Sequence, residues 1–354
     1  MERVEVRAGQ IPAADATALR AAEDRLLKLT KPTGSLGRLE ELVKRLAAIQ
    51  AEPLPWVDPP AVLVFAGDHG VTEEGVSAYP SSVTAAMVDN FLNGGAAISV
   101  LSRMIGAELT VVDVGVDSEP LPPRPGFLPR KVAPGTRNLA REDAMTEAET
   151  RTAIDIGSEA ASDAIRGGAR ALALGEMGIG NTTSATALIA AITRRAPAGL
   201  VGRGTGIDDP TMERKRSVVQ RAVDRVGPRT APVPLLAALG GFEIAAIAGA
   251  ALEAARQRRP ILVDGLISTA AVLWAALLND RIIDHLVAAH RSAEPAHSVA
   301  LDHLGLVPYL DLSMRLGEGT GAVLGLVLCD AACRLLREMA TFEEANVAGR
   351  LRPG

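Results

Sequence analysis

The sequence has few aromatic residues, no excess of basic charge and no long apolar run. Aromatic residues make up 3% of the 354 residues, and the net charge is −5. Such a chain offers neither the stacking platforms that hold single-stranded nucleic acid nor a basic field that attracts a polyanion. No uninterrupted apolar run reaches about 18 residues, the length that crosses a bilayer as a helix. We therefore expect neither a nucleic-acid partner nor a membrane span.

Cysteine is scarce as well, with only Cys329 and Cys333. The two are four residues apart in an apolar run, so on a helix they would lie one turn apart on the same face. This spacing favours two small buried side chains. A metal site would need further ligands, and the nearest histidine in the sequence is His303.

The segment HRSAEPAHS contains His290, Glu294 and His297. It differs from the H-E-x-x-H signature of zinc enzymes. Pro295 is expected to interrupt any helix that would gather the three side chains. The sequence thus predicts no metal site and no cofactor.

The first ten residues, MERVEVRAGQ, are charged from the second residue onward. A secretory signal would instead place a continuous apolar core after a short basic stretch. We therefore expect a protein of the cytoplasm.

Short apolar runs that end in glycine turns alternate with helical stretches along the middle of the chain. Buried strands followed by helices indicate βαβ units, hence an α/β fold with a mostly parallel sheet and helices on both faces. In such sheets ligands bind beyond the carboxyl ends of the strands. The runs predicted as strands are AVLVFAGDHG (61–70), ELTVVDVGVD (108–117), ALALGEMGIGN (171–181), VPLLAALGGFE (233–243) and PILVDGLIS (260–268).

Helical patterns occupy both ends of the chain. Residues 15–50 have helical periodicity in two pieces, and the segment AEPLPWVDPP that follows has four prolines in ten residues. Proline ends a helix, so this segment is the predicted linker. The expected division is a small helical domain from residues 1–55 and 300–354 and a large α/β domain from residues 56–299.

The run LALGEMGIGNTTSATAL (172–188) predicts a strand, a glycine turn and a helix. Its turn consists of Gly175, Gly178, Gly180, Asn181, Thr182, Thr183 and Ser184. Free backbone N–H groups, a helix N-terminus and three hydroxyls favour an anion as ligand. The glycine order matches neither a Walker loop nor G-x-G-x-x-G, so a single phosphate ester is the favoured anion. The alternative is a tight turn and a capped helix without a ligand.

A second turn, VGRGTGIDDPTMERKRSVV, contains Gly202, Gly204 and Gly206, and it is followed by Lys215 on a predicted helix. This lysine would supply a cation for the same phosphate. The alternative is ordinary turn and cap chemistry.

A third turn, MRLGEGTGAVLG, places Glu318 between two glycines at the start of an apolar helix. Near an apolar pocket the pKa of this carboxyl would rise, which would make it a usable general base. The alternative is an acidic residue that is favoured by the helix dipole.

In the turn GDHGV, Asp68 and His69 are candidates either for catalysis or for hydrogen bonds that shape the turn.

Taken together, these segments resemble one family over nearly the whole chain, from about Lys31 to Gly321. The family is nicotinate-nucleotide:dimethylbenzimidazole phosphoribosyltransferase, which assembles the lower-ligand nucleotide of cobalamin. The segments that carry the resemblance are KPTGSLGRLEEL, FAGDHGV, SAYPSSVT, FLNGGAAI, GEMGIGNTTSATAL, VGRGTGIDD, GGFEIAAIAGA, DGLIST, HRSAEPAH and LDLSMRLGEGTGA.

The resemblance implies a transfer of the 5-phosphoribosyl group from nicotinate mononucleotide to 5,6-dimethylbenzimidazole. It also implies a Rossmann-like parallel sheet, a smaller helical domain built from both chain ends, and a homodimer. The implied general base is Glu318, with Glu176 also in the active site. The implied base-binding residues are Tyr79, Met87 and Leu316. The implied phosphoribosyl-binding residues are Gly178, Gly180, Asn181, Thr182, Gly204 and Lys215.

Rival interpretations remain open at this point. An NAD-dependent oxidoreductase would fit the sheet and the glycine turns, but the glycine order and an acid about 20 residues on are missing. A transferase that uses pyrophosphate-activated ribose would need paired acids before a T-G-x-T-like turn, which does not follow VVDVGVD. A sensor or carrier would bind a nucleotide or an azole in the same pocket without releasing nicotinate.

Overall fold

The computed structural model describes residue 5 and residues 8–204, 206–228 and 231–348. Six parallel strands form one sheet in the order β3-β2-β1-β4-β5-β6. The predicted α/β fold with a parallel sheet is therefore confirmed. The strands are β1 (Pro60–Gly67), β2 (Glu108–Gly115), β3 (Phe127–Pro129), β4 (Ala171–Met177), β5 (Ile261–Val263) and β6 (Leu286–Ala288).

Twelve α-helices of the described chain surround this sheet. Short 3₁₀ helices at Gly70–Glu74, Pro197–Gly199 and Asp280–His285 complete the connections. The α-helices are α1 (Ala16–Lys28), α2 (Arg38–Gln50), α3 (Ser82–Leu92), α4 (Ala97–Met104), α5 (Glu147–Arg166), α6 (Asn181–Thr193), α7 (Asp209–Val226), α8 (Pro232–Leu239), α9 (Phe242–Arg256), α10 (Leu266–Ala276), α11 (Pro295–Leu304) and α12 (Thr320–Glu338).

The strand order reverses direction at the neighbouring strands β1 and β4. From β1 the chain builds outward through β2 to β3, and it then returns to β4 on the other side of β1. Phe65 of β1 is level with Glu176 of β4. Loops that leave such a reversal point diverge and open a crevice beyond the carboxyl ends of the strands. The fold thereby places the glycine turn after β4 at the edge of this crevice.

Alternate residues of β1 face two different hydrophobic clusters. Leu63 and Phe65 pack with helices α5 to α11 on one face of the sheet. Val62 and Val64 pack on the other face with α1 to α4 and α12. Because side chains alternate along a strand, each face needs its own layer of helices.

Helices from the two ends of the chain lie together on the second of these faces. Helix α12 contacts both α1 and α2, and it also contacts β4, β5 and β6. The terminal helices thus share a hydrophobic cluster with the sheet. The division into residues 1–55 with 300–354 and residues 56–299 stays a prediction.

The structure contradicts the strand predicted at residues 233–243. That segment forms α8, which is followed by α9 from Phe242 onward. Pro232 occupies the first position of α8, where proline favours a helix because the N–H there needs no partner. A short apolar run that is buried on all sides does not distinguish strand from helix by periodicity. The three-residue strands β3 and β6 were not predicted at all, since such short runs have no readable period.

Pro295 begins α11, so His290 and Glu294 lie outside this helix and His297 lies within it. No helix gathers the three side chains, as the sequence predicts. Proline is well suited to the first turn of a helix, where its fixed φ is already helical.

The two cysteines are buried one turn apart on α12. Burial raises the pKa of Cys333 to about 12 and raises that of Cys329 as well. Both thiols are therefore protonated and act as small apolar side chains. Within the described part of the chain, no helix has the length and apolarity needed to cross a membrane.

Helices α5 and α9 approach each other most closely at two glycines. A Cβ atom at Gly157 would overlap the carbonyl oxygen of Ala246, and one at Gly249 would overlap that of Ile154. The two helix backbones are thus in direct contact.

We expect Gly157→Ala to lower the free energy of unfolding by about 1–3 kcal/mol, because the added methyl group must push two buried helices apart. Urea denaturation followed by circular dichroism measures this change. Gly199→Ala is the control, since a Cβ atom there would meet nothing within 4 Å. Equal stability of the two variants would contradict the close packing.

Candidate active site

A cavity of about 610 Å³ lies beyond the carboxyl ends of β4 and β5. Its walls come from segments that are far apart in the sequence, so only the folded chain creates it. They are α3 with the residues before it, the glycine turn after β4, the loop after β5, the segment 290–294 and the segment 315–318. This is the place where parallel α/β sheets bind ligands.

Glu176, near the end of β4, projects into this cavity. Its carboxylate accepts a hydrogen bond from the Nδ2 atom of Asn181. Burial raises the pKa of Glu176 to about 8, and the negative charges of Asp264 and Glu243 contribute to this rise. A side chain at Gly317 would overlap Oε1 of Glu176, so the glycine is what lets the loop pass over the carboxyl group. At neutral pH Glu176 is therefore largely protonated.

Glu318 reaches the same cavity from the turn before α12. It has a left-handed backbone, with φ of 64°, between two glycines that also have positive φ. Its side chain is 5% exposed, and Oε2 accepts a long hydrogen bond from the backbone N–H of Ile98 at 3.4 Å. Burial raises the pKa of Glu318, and the charge of Asp264 raises it further. The predicted environment of a buried acid between glycines is thus present.

The glycine turn and the second turn meet around one lysine. Lys215 of α7 is 1% exposed, and its Nζ atom donates to Oγ1 of Thr182 at 2.8 Å and to the carbonyl of Gly202 at 3.4 Å. Burial lowers the pKa of Lys215 to about 8, and the carboxylate of Glu294 partly opposes this change. Lys215 and Gly180 line a smaller cavity of about 30 Å³ next to the main one.

All of the residues predicted to bind the phosphoribosyl group line one or both of these adjoining cavities. Gly178, Asn181, Thr182 and Gly204 line both. The expectation of three hydroxyls in the anion cradle was wrong, because Ser184 donates to the carbonyl of Leu239 and Thr183 is fully buried outside both cavities. All three hydroxyls lie in the first turn of α6, but consecutive side chains of a helix point in different directions, so they cannot all face the cavity.

The three residues predicted to bind the base also line the main cavity. Tyr79 and Leu316 are 52% and 57% exposed, which is high for large apolar side chains. Met87 lies on α3, and Val83 one turn before it lines the same wall. This wall is apolar and accessible to a flat ring.

Asp68 and His69 lie behind the glycine turn, outside both cavities. Asp68 accepts from Oγ1 of Thr84 at 2.6 Å and from the N–H of Asp117 at 2.8 Å. His69 Nε2 lies 2.6 Å from Oε1 of Glu243 in a fully buried pair. These contacts favour the interpretation that both residues shape the turn.

Six polar residues of the cavity were not predicted from the sequence to bind the substrate: Asp264, Ser268, His290, Ser292, Glu294 and Arg315. Glu294 accepts from the backbone N–H of Gly204 at 2.9 Å, and Arg315 donates to the carbonyl of Gly204 at 3.1 Å. Their signals were present in DGLIST, HRSAEPAH and SMRLGEG, but no spacing rule connects such distant segments. Within the part of the chain that the structure describes, no group of three or more His, Cys, Asp or Glu side chains is arranged to hold a metal ion.

The positive charges of the site lie at one end. Glu176, Asp264 and Glu318 form an acidic region, whereas Lys215 and Arg315 lie near Gly204, together with the carboxylate of Glu294. A ligand that carries an anionic group at one end and positive charge elsewhere would be oriented by this distribution. Such a site can bind a phosphate ester and stabilise a developing cation at the same time.

The raised pKa of Glu176 predicts a specific dependence of stability on pH. Between about pH 4.5 and pH 8 the folded chain keeps a proton that the unfolded chain has released, so stability falls as the pH rises through this window. Glutamine cannot ionise, so Glu176→Gln should melt near the native temperature at about pH 5 and several degrees above it at about pH 8.5. Calorimetry measures the difference. The surface variant Glu159→Gln should melt at the native temperature at both pH values. If the melting temperatures of Glu176→Gln and the native protein differ by the same amount at both pH values, Glu176 is not a buried acid with a raised pKa.

The chain is similar to known proteins over nearly its whole length. A family model described as phosphoribosyltransferase matches residues 11–347. A nicotinate-nucleotide–dimethylbenzimidazole phosphoribosyltransferase of Chloroflexus aurantiacus is 49% identical over 352 residues, which cover 99% of this chain and 100% of the relative. The same-named protein of Chloroflexus aggregans is 51% identical over 335 residues, or 94% of each chain.

A solved structure has the same fold. The crystal structure of CobT from Thermus thermophilus superposes with a TM-score of 0.91 at 49% identity, over 94% of this chain and 99% of that one. A second structure from the same organism, titled as the nicotinate-nucleotide–dimethylbenzimidazole enzyme, gives a TM-score of 0.90 at 48% identity, over 95% of this chain and 100% of that one. The chain therefore belongs to the nicotinate-nucleotide–dimethylbenzimidazole phosphoribosyltransferase family.

Proposed function

We propose that this protein transfers the 5-phosphoribosyl group of nicotinate mononucleotide to 5,6-dimethylbenzimidazole, giving α-ribazole 5′-phosphate and nicotinate. One observation carries the proposal beyond family membership. Two carboxyl groups, those of Glu176 and Glu318, line a cavity that adjoins a glycine turn with a buried lysine. This arrangement suits a substrate with a phosphate at one end and a cationic reacting centre at the other.

The phosphate is proposed to bind at the glycine turn and Lys215. The N–H groups that begin α6 are free of partners inside the helix, and the helix dipole favours an anion there. Lys215 already lies within 2.8 Å of Thr182, and it would keep its positive charge once the phosphate arrives. The guanidinium of Arg315, held by Gly204, supplies a further positive charge near this end.

The donor needs little help to release its leaving group. In nicotinate mononucleotide the ring nitrogen that is bonded to C1′ carries a positive charge. When the C1′–N bond breaks, the electron pair returns to this nitrogen and the ring leaves uncharged. The reaction therefore needs no proton donor for the leaving group.

The acceptor does need help, and Glu318 is proposed to give it. One nitrogen of dimethylbenzimidazole forms the new bond to C1′, and the ring then carries a proton on its other nitrogen and a positive charge. The carboxylate of Glu318 takes this proton, so the product ring becomes neutral. The raised pKa of Glu318 makes it a stronger base than an exposed glutamate. The apolar wall with Tyr79, Met87 and Leu316 is the proposed seat of the ring.

Attack from the face opposite to the leaving group inverts the configuration at C1′, so a β-linked donor gives an α-linked product. The carbon gains oxocarbenium character on the way. Glu176 is proposed to stabilise this charge in its ionised form, because a cation in the cavity lowers the pKa of a neighbouring carboxyl.

A direct assay tests the reaction. The protein is mixed with nicotinate mononucleotide and dimethylbenzimidazole, and chromatography follows nicotinate and α-ribazole phosphate; the proton spectrum of the product reports its anomeric configuration. We expect both products in equal amounts. Tight binding with no release of nicotinate would favour the sensor or carrier, and hydride transfer to a nicotinamide would favour the oxidoreductase.

We expect Glu318→Gln to lower kcat by about 10²–10⁴, which is the usual contribution of a positioned general base. The variant keeps the size of the side chain, so KM for nicotinate mononucleotide should change little. Glu338→Gln, at the exposed far end of the same helix, is the matched control. Native turnover in the Glu318 variant would refute this choice of base but not the reaction.

We also propose that two copies of the chain associate. Val100 and Met104 of α4 are 50% and 60% exposed, and Val327 of α12 is 41% exposed. These two helices pack against each other, so the exposed apolar side chains lie on neighbouring surfaces. Equilibrium sedimentation would refute the dimer if it gave the mass of one chain.

The cytoplasmic location stays a prediction that cell fractionation tests.

A further inference from the structure

Asp264 connects the end of β5 to the start of α12. It is 3% exposed. Its Oδ2 atom accepts the backbone N–H of Gly319 at 3.2 Å, and its Oδ1 atom accepts that of Ala322 at 3.0 Å. The first amides of a helix have no partner inside the helix. Asp264 therefore caps α12 from a residue that is far away in the sequence.

Glu318 needs this kind of support because of its backbone conformation. A non-glycine residue with a φ of 64° is strained, and it persists only where the surroundings determine it. The N–H that Asp264 holds belongs to Gly319, the residue directly after Glu318. On the other side, a Cβ atom at Gly175 would overlap the carbonyl oxygen of Glu318, so β4 is in direct contact with the same peptide.

We infer that Asp264 is the positioning residue of Glu318: its two hydrogen bonds to the first turn of α12 fix the peptide from which the Glu318 carboxylate enters the cavity. The inference rests on the proposed function, in which Glu318 is the base. It extends that function by assigning a task to a buried carboxylate that contributes no proton to the reaction.

His290 supports Asp264 from the other side. Its Nε2 atom lies 3.5 Å from Oδ1 of Asp264. The imidazole also packs so closely on α12 that a Cβ atom at Gly321 would overlap the ring. The carboxylate is thus held between an imidazole and a helix N-terminus.

The charge of Asp264 also affects the pKa of Glu318, and this effect can be measured separately from any loss of stability. Asp264 raises the pKa of the Glu318 carboxyl. Glu176 lies beside them, and its carboxyl accepts a hydrogen bond from the N–H of Glu318. His290 faces Asp264, and Arg315 lines the same cavity. Removing the charge of Asp264 would therefore lower the pKa of Glu318 and that of Glu176.

The test compares Asp264→Asn and Asp264→Ala with a matched control. Asp113 is also buried, and its Oδ1 atom also accepts two backbone N–H groups, those of Gly115 and Val116, but it lies outside the cavity. We expect Asp264→Ala to lower kcat about 100-fold, which is the size of the loss when a catalytic group is displaced by about 1 Å. KM for nicotinate mononucleotide should change little, and Asp113→Asn should keep native kcat.

The pH profile separates positioning from general damage. In the Asp264→Asn variant, the fall of kcat/KM on the acidic side of the pH profile (the acidic limb) should move to lower pH. The reason is that Glu318 then loses its proton more easily. Asp113→Asn should leave the limb in place. If Asp264→Ala does not fold, Asp264→Asn carries the test, since it keeps the volume and one acceptor oxygen.

Native kcat with an unmoved acidic limb in Asp264→Asn would overturn the inference. So would equal losses of kcat in the Asp264 and Asp113 variants, which would reflect stability alone. These outcomes are distinct from failure of the proposed function. If the native protein makes no α-ribazole phosphate, the reaction itself is wrong, and if Glu318→Gln turns over at the native rate, only the base is wrong and the positioning inference falls with it.

Discussion

The contact between β4 and the turn before α12 is the constraint on which the site depends. Gly175 lets the backbone of Glu318 lie directly against the strand, since any larger residue would overlap its carbonyl oxygen. This contact brings Glu318 to the cavity that Glu176 enters from the same strand. It also joins the last long helix to the centre of the sheet.

The cavity combines two opposite electrostatic environments. At one end burial raises the pKa of Glu176 and Glu318, because a carboxylate is costly to ionise away from water. At the other end burial lowers the pKa of Lys215 for the same reason. An opposite charge stabilises the charged form of each group, so a dipolar substrate would offset the electrostatic cost of burial at both ends. The free energy of binding is thereby coupled to orientation of the substrate.

Much of the fold could be predicted, because strand and helix patterns depend on local periodicity. The runs that became β1, β2, β4 and β5 were correct, since each is a short apolar run that ends at a turn. The run at 233–243 was wrong, because a helix buried on all sides has no polar face to reveal its period. The expectation for Pro295 was correct, because proline stops a helix in the middle but suits its first turn, and α11 begins there.

By itself, the sequence determined the chemistry of the turns: where glycines allow a left-handed backbone, where acids stand between them, and which family the order of motifs resembles. Only the tertiary structure decided which of these turns meet. It assigned Asp264 and Arg315 to the cavity, turned Ser184 away from it, and placed His69 behind the glycine turn. The physical reason is that turn conformation depends on neighbours in the chain, whereas burial and pKa depend on neighbours in space.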